Sequence, residues 1–319
     1  MNQKTVAILL ATYNPPENWL CELLDSLNQQ TYPSLRLYVR DDASTSMPLS
    51  RLEELLQAHI TRFPFELRRN KANMGSTDTF GALVEDCNEP YIAFCDQDDV
   101  WHPDKIENTF RLLTESPLHP TVVCTNVSIM DGDGNRIAPS IDAHRRRHVF
   151  LRGTGLAPQL IYRNFALGCT MLAERERIRS YLPFPKELVH DHYILFRAAT
   201  EGAIDFLAEP QMRYRVYGGN QTGVMTGVNS KEDYLKRRIL VFDERVRCLS
   251  EYASLDELQA AKAWSEARIA NFHREKGGFG RLWRLRKLNF VTSLFELVAL
   301  RLPLPLFRFA IRLVQKGAL

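Results

Sequence analysis

The first 125 residues alternate short runs rich in β-branched and aromatic residues with stretches whose leucines recur every three or four positions. Residues 6–11 read as a strand, and Leu20, Leu23, Leu24 and Leu27 share one face of a helix over 19–27. Residues 35–39 form the next strand, followed by a helix through Leu49, Leu52, Leu55 and Leu56. The alternation continues with a strand at 65–67, a helix at 79–84, a buried strand at 91–95, a helix at 106–113 and a strand at 122–130. Strands separated by helices of this length predict βαβ units and an α/β fold with a mostly parallel central sheet. Asp131-Gly-Asp-Gly-Asn135 has the opening spacing of a calcium loop but not its later ligands or closing Glu, so it predicts a hairpin turn. Farther on, 167–172 and 211–216 read as strands, with helices at 174–181 and 192–200 between them. From Ser230 the pattern is wholly helical. Gly218, Gly219, Gly223 and Gly227 crowd the stretch before it, which places a boundary near 228: one α/β domain over 1–228 and a helical region over 229–319.

Charge changes this picture at the carboxyl end. From Arg274 onward ten Lys/Arg face only Glu275 and Glu296, a net of +8, which leaves −5 for the rest of a chain whose total is +3. The stretch 277–316 sets Trp283, Leu285, Leu288, Phe290, Leu294, Phe295 and Val298 beside Arg281, Arg284, Arg286 and Lys287. An apolar stripe beside a basic face predicts a helix lying on an anionic membrane surface; a helical subdomain packed on protein is the alternative. No nucleic-acid-binding motif accompanies the charge, so nucleic acid is not an expected partner. No run reaches the ~18 apolar residues of a spanning helix, and the start reads as a first strand rather than a signal peptide. Cys21, Cys87, Cys95, Cys124, Cys169 and Cys248 show no C-x-x-C pairing and read as reduced core thiols of a cytoplasmic chain. The Asn220-Gln-Thr222 sequon carries no meaning in that compartment, and the basic run Arg145–Arg147 reads as a solvated loop or a phosphate contact.

In a doubly wound sheet, ligands bind outside the carboxyl ends of the strands. Those ends here carry Thr12-Tyr13-Asn14, Asp41-Asp42-Ala-Ser44, Asn73-Met-Gly75 and Asp96-Gln97-Asp98-Asp99. Any one of them could be a loop or a helix cap, but four together predict a binding edge. Three carboxylates within four residues raise one another's pKa unless a cation neutralises them. Oxygen-only ligands suit Mg²⁺ or Mn²⁺, which bridge carboxylates to substrate phosphates. There is no Walker lysine and no GxGxxG cradle to meet phosphate charge instead.

In this order the four motifs, the last continuing as Val100-Trp101-His-Pro-Asp104, resemble the family 2 glycosyltransferases, inverting enzymes of the GT-A fold that use nucleotide-sugars. The resemblance implies that Thr12, Tyr13 and Asn14 line the nucleotide pocket with Asp41, Asp42, Asn73, Gly75 and Gln97. Asp42 would meet the base, Asp96 the ribose, and Asp98 with Asp99 would hold Mn²⁺ or Mg²⁺ on the diphosphate. Gly168 and Cys169, with Trp101, would lie on the acceptor side. His190-Asp191-His192-Tyr193 stands where the family has its catalytic acid motif and resembles a branch that includes bacterial rhamnosyltransferases. That implies Asp191 as general base, a dTDP-rhamnose-like donor and a lipid-linked glycan acceptor at the inner face of the cell membrane. An N-cap role for Asp191 is the local alternative. His190 and His192 are expected either to make acceptor contacts or to support the site residues from behind, and strand spacing would place them on one face. Tyr217, in Tyr214-Arg215-Val-Tyr217-Gly218, replaces a histidine that relatives keep near the metal, so either the aspartates, diphosphate and water hold the metal without it or Arg215 carries more of the charge. Two other classes share features of this pattern. A sugar nucleotidyltransferase would need a glycine-rich basic loop that Thr12-Tyr-Asn-Pro-Pro16 is not, and the missing histidine motivates a non-catalytic nucleotide-sugar-binding scaffold.

Overall fold

The computed structural model describes residues 4–145, 148–217, 225, 227–252 and 256–315. Strands β1 (Val6–Thr12), β2 (Leu35–Asp41), β3 (Phe65–Arg69) and β4 (Tyr91–Cys95) alternate with helices α1 (Glu17–Asn28), α2 (Leu49–His59) and α3 (Ser76–Asp86). Then follow β5 (Val100–Trp101), α4 (Lys105–Glu115), β6 (Val122–Met130), β7 (Arg136–Ala138), α5 (Ile141–His144) and α6 (Ala157–Tyr162). A 3₁₀ turn at Gly168–Thr170 leads into β8 (Leu172–Glu174), α7 (Arg175–Arg179), α8 (His190–Glu201) and β9 (Ile204–Arg215). The sheet runs β3-β2-β1-β4-β8-β6-β9-β5, with β7 hairpinned onto β6. The pairs β2/β3, β1/β2, β1/β4 and β6/β9 are parallel, while β8 enters antiparallel between β4 and β6.

The leucine spacing builds the core as expected. Leu20, Leu23, Leu24 and Leu27 of α1 are wholly buried, as are Val6 to Leu10 of β1. Each such side chain contributes roughly 1.5–3 kcal/mol on leaving water. Asp131 closes the β6–β7 hairpin: its N–H donates to the Asn135 carbonyl (2.9 Å), and its Oδ1 accepts from the Asp133 and Asn135 N–H groups.

Three expected elements differ. Residues 167–172 are not one strand, because 168–170 coil into the 3₁₀ turn and pairing with β4 begins only at Met171, whose carbonyl accepts from the Phe94 N–H (3.2 Å). The last strand is twice as long as expected, starting at Ile204. Its Glu209-Pro210 resembles a loop in sequence but sits where β6 shifts register, opposite Asn126, a place a proline tolerates. The helix expected at 192–200 begins at His190, so His190 and His192 lie in a first helical turn, about 200° apart, and do not share a face.

The chain divides into two compact units, one of residues 1–157 and 164–218, the other of 158–163 and 219–319. The boundary expected near 228 lies inside the second unit, because Met225 and Val228 belong to that unit's core. The second unit comprises α9 (Lys231–Tyr234), a π-helical segment, α10 (Leu240–Cys248), α11 (Asp256–Phe272), α12 (Gly278–Leu285), α13 (Phe290–Ala299) and α14 (Leu304–Gln315). Tyr234, Ile239, Leu300, Phe307 and Ile311 pack at its centre. No helix among the described residues is long and apolar enough to cross a membrane. Arg146, Arg147, the sequon and Gly218, Gly219 and Gly223 lie outside the described residues.

Candidate active site

Parallel pairing aligns the strand ends: Thr12 stands opposite Asp41, and Leu10 opposite Cys95. At the first two ends the polar groups satisfy one another. The wholly buried Asp41 carboxylate accepts from the Thr12 hydroxyl (3.1 Å), the Ser44 N–H (2.9 Å) and hydroxyl (2.5 Å), and Arg69 Nε (2.7 Å). Asp42 accepts from the Met74 N–H and Asn70 Nδ2 (2.8 Å each) through Oδ1 and from the Gly75 N–H (2.9 Å) through Oδ2. Asn14, at φ 46°, gathers the Thr45 and Ser46 N–H groups on its Oδ1 (2.8 Å each). Gln97 clamps the Tyr13 backbone, accepting from its N–H (2.7 Å) and donating to its carbonyl (3.1 Å).

The contact expected between Asp42 and a base is therefore corrected. Asp42 is buried and holds the 70–75 loop in place, as Asp41 and Asn14 hold the 44–46 turn. What this framework leaves open is the Tyr13 ring, 45% exposed, together with Asn73 and Met74. Gly75 has φ +84° with no atom within 4 Å of a would-be Cβ, so a ligand can approach the backbone there.

The acids after β4 are differently placed. Burial pushes the Asp96 carboxyl up to about 7, with Asp98 and Asp191 adding repulsion. Burial likewise raises Asp98, and it raises Asp99 well above the carboxylate range, where Asp98 and Asp96 repel it further. Asp99 Oδ1 accepts from the Arg215 N–H (3.0 Å), while its Oδ2 is buried with no hydrogen-bond partner among the described residues. Oxygens of Asp96 and Asp99 and the Cys169 sulfur lie within 4.8 Å of one another. Burial keeps that thiol protonated, so the group offers hard oxygen ligands beside a neutral sulfur, a donor set that fits Mn²⁺ or Mg²⁺. Asp96, expected from sequence at the ribose, thus lies with Asp99 in a group that could hold a cation. Asp98, expected from sequence to hold the metal with Asp99, accepts the Tyr217 hydroxyl on its Oδ2 (2.8 Å). Burial and the Asp98 charge push the Tyr217 phenol up, so it stays a donor; its ring packs on Trp19 at 4.7 Å.

Arg215 does not face a ligand. Its guanidinium is wholly buried, bonding the carbonyls of Asp98 (2.8 Å) and Gly132 (3.0 Å) and pairing with Glu22 (2.5 Å). The arginine expected on the diphosphate braces the acidic turn from behind. Trp101 is likewise buried, its backbone N–H donating to the Ser26 hydroxyl (3.0 Å). Its ring carries a residue that sequence reasoning missed. Lys105 is wholly buried, with Nζ 3.1 Å from the Trp101 centroid and donating to the Cys169 carbonyl (2.7 Å). Burial pulls its pKa down to about 8 against the pull of Cys169, Cys95, Asp99 and Asp96. A lysine in the first turn of a helix opposes the helix dipole, and that was the available signal.

Asp191 sits in the first turn of α8, half-buried, beneath Gly168. A Cβ on Gly168 would meet His190 Nε2 at 2.9 Å and Asp191 Cβ at 3.4 Å, so only glycine lets the turn close over the helix. The carboxylate accepts from the His192 N–H (2.5 Å). Burial pushes its pKa up to about 6, while the backbone N–H groups of His192 and Gly168 and the Asn164 side chain pull it down. The cap of α8 is Val189, so Asp191 is not the N-cap. His190 is buried among Phe80, Phe94 and Phe184, with neither ring nitrogen partnered among the described residues, and burial pulls its pKa down to about 3. Of the two roles expected of it, its place fits support rather than acceptor contact: it is an apolar wedge under the turn. His192 is buried too. Asn164 carries no sequence signal that would have singled it out.

A bound ligand at this edge would thus find an exposed aromatic ring, an open glycine, a repelling acid cluster and a carboxylate that is ionised at neutral pH. A sequence profile described as glycosyl transferase family 2 matches residues 7–175. The dTDP-rhamnosyl transferase RfbG of Shigella flexneri is 25% identical over 297 residues, covering 87% of this chain and 94% of its own. The Escherichia coli UDP-Glc:alpha-D-GlcNAc-diphosphoundecaprenol beta-1,3-glucosyltransferase WfgD is 25% identical over 202 residues, 61% of this chain and 69% of its own. The mannosyltransferase PcManGT of Pyrobaculum calidifontis, solved with GDP-Man and Mn²⁺, shares the fold at a TM-score of 0.56 and 17% identity, covering all of this chain and 87% of its own. With the profile spanning more than half its length, this chain belongs to glycosyl transferase family 2 and is a nucleotide-sugar-dependent glycosyltransferase of the GT-A fold.

Proposed function

We propose that the enzyme inverts the donor's anomeric centre, with Asp191 as general base. One observation carries this reading: the Asp191 carboxylate lies close enough to the acid cluster to raise Asp96, yet keeps a pKa of about 6 of its own. At neutral pH it is ionised and poised to take a proton from an acceptor hydroxyl. As that oxygen bonds to the anomeric carbon from one side, the bond to the nucleoside diphosphate breaks on the other, and the proton passes to Asp191. The His192 and Gly168 N–H groups fix the carboxylate's direction. Tyr13, Asn73 and Gly75 are positioned to receive the nucleotide, and Asp96 and Asp99 would hold a divalent cation. Such a cation, Mn²⁺ or Mg²⁺, neutralises charge on the diphosphate when bound.

The donor is dTDP-rhamnose in this reading, supported by the relative of that name over most of the chain and by the His190-Asp191-His192-Tyr193 form. The acceptor is a lipid-linked glycan of surface-polysaccharide assembly, met at the cytoplasmic face of the membrane; the name of the Escherichia coli relative supports a diphosphoundecaprenol-linked acceptor. Asp191→Asn tests the base: turnover falls by roughly 10²–10⁴-fold with donor affinity unchanged. Wild-type kcat drops as pH falls through about 6, where Asp191 protonates. Turnover retained in the variant would remove Asp191 from this role.

A further inference from the structure

Helix α13 has a single charged residue, Glu296, and turns it inward. Glu296 is wholly buried, pairing with Arg268 Nη2 (2.6 Å) and accepting from the Tyr234 hydroxyl (3.0 Å). The opposite face has no polar group to offer water: Phe290, Val291, Leu294 and Val298 recur at helical spacing and are 42–55% exposed. Its neighbours repeat the pattern, with Phe279 and Trp283 exposed on α12 and Leu306 and Phe309 on α14. Soluble surfaces scatter single apolar residues, but three successive helices doing so mark a surface made to be covered.

The flanks say by what. Arg281, Arg284 and Lys287 are exposed before α13, and Arg301, Arg308 and Arg312 after it. Arg274 and Arg301 also border an open cleft beside Phe279. A second copy of the chain would bring the same cations against these and be repelled. An anionic bilayer supplies phosphates for the rim and an acyl boundary for the centre. We propose that α12–α14 form a docking surface for anionic membrane, with the exposed face of α13 at the acyl boundary and the flanking Arg and Lys residues on headgroup phosphates. The inference stands apart from the identity of donor or acceptor.

Co-sedimentation of the full chain with vesicles tests it. Vesicles of phosphatidylglycerol in phosphatidylcholine should carry the protein down, and pure phosphatidylcholine vesicles should leave it in solution. The double substitution Leu294→Glu with Val298→Glu should lower partitioning at least tenfold, because it puts charge into the acyl boundary. Arg284→Glu with Lys287→Glu, at exposed positions that leave the fold intact, should lower it by about tenfold or more, and wild-type binding should weaken with salt. An unchanged melting temperature in both variants assigns the loss to the surface. Three results would overturn the proposal: no binding to phosphatidylglycerol, equal binding to neutral vesicles, or a dimer in solution that Leu294→Glu dissociates.

Discussion

Two pairs of adjacent aspartates end neighbouring regions of one sheet, and they are built for different work. Asp41 and Asp42, after β2, are ringed by donors: Thr12, Ser44, Arg69, Asn70 and the Met74 and Gly75 N–H groups. Asp98 and Asp99, after β4, have few. Asp98 has the Tyr217 hydroxyl, Asp99 has the Arg215 N–H on one oxygen and none among the described residues on the other, and burial raises both, Asp99 well above the ordinary carboxylate value. A carboxylate saturated by its own chain is architecture, whereas one left short of donors in a buried cluster is one that a cation could satisfy. In sequence the two pairs look alike; the donors around them separate their roles.

Substitution can break that contrast. The largest expected effect is on donor binding in Asp99→Asn: metal-dependent affinity for the nucleotide-sugar falls by ~100-fold or more, since a ligand matters at least as much as the outer partners that orient it. In chelator the same variant gains stability at neutral pH. The Asp99 pKa is raised on folding, so its ionised form penalises the fold at pH 7, and the gain fades as pH falls toward 4, where the parent carboxyl is protonated as well. Asp42→Ala does the reverse. It strands three donors, one buried and two part-buried, costing on the order of 1–3 kcal/mol and lowering the melting temperature by roughly 3–10 °C with or without metal. A drop in the Asp99→Asn melting temperature as large as that of Asp42→Ala would erase the distinction. The smallest effect belongs to Tyr217→Phe, which removes one hydrogen bond to Asp98: a several-fold change in metal affinity, read by titrating Mn²⁺ at fixed donor concentration.

The sequence carried the fold because its signals were local. Leucines at three- and four-residue spacing and runs such as Val6 to Leu10 specify their own burial, and the strand ends follow from them. It carried β9 poorly, because Glu209-Pro210 breaks the local pattern while a register shift opposite Asn126 accommodates it. At the site, residue type was legible but direction was not. Arg215 has the charge expected near a diphosphate yet turns toward Glu22 and the Asp98 carbonyl, a fact set by residues 117 and more positions away. His190 looks like a polar site residue but fills a space among three phenylalanines. Lys105 looks like a surface charge at a helix start and is the buried cation beneath the acids.

The most direct test is thermal stabilisation by donor, read side by side in the wild type and Asp99→Asn with Mn²⁺, Mg²⁺ or chelator, across dTDP-, UDP- and GDP-sugars. The account predicts that the wild type is stabilised by one donor class only when a divalent metal is present, and that Asp99→Asn loses that metal-dependent part while folding normally. Equal stabilisation of the wild type in metal and in chelator, or a metal-dependent shift of full size in Asp99→Asn, would contradict it.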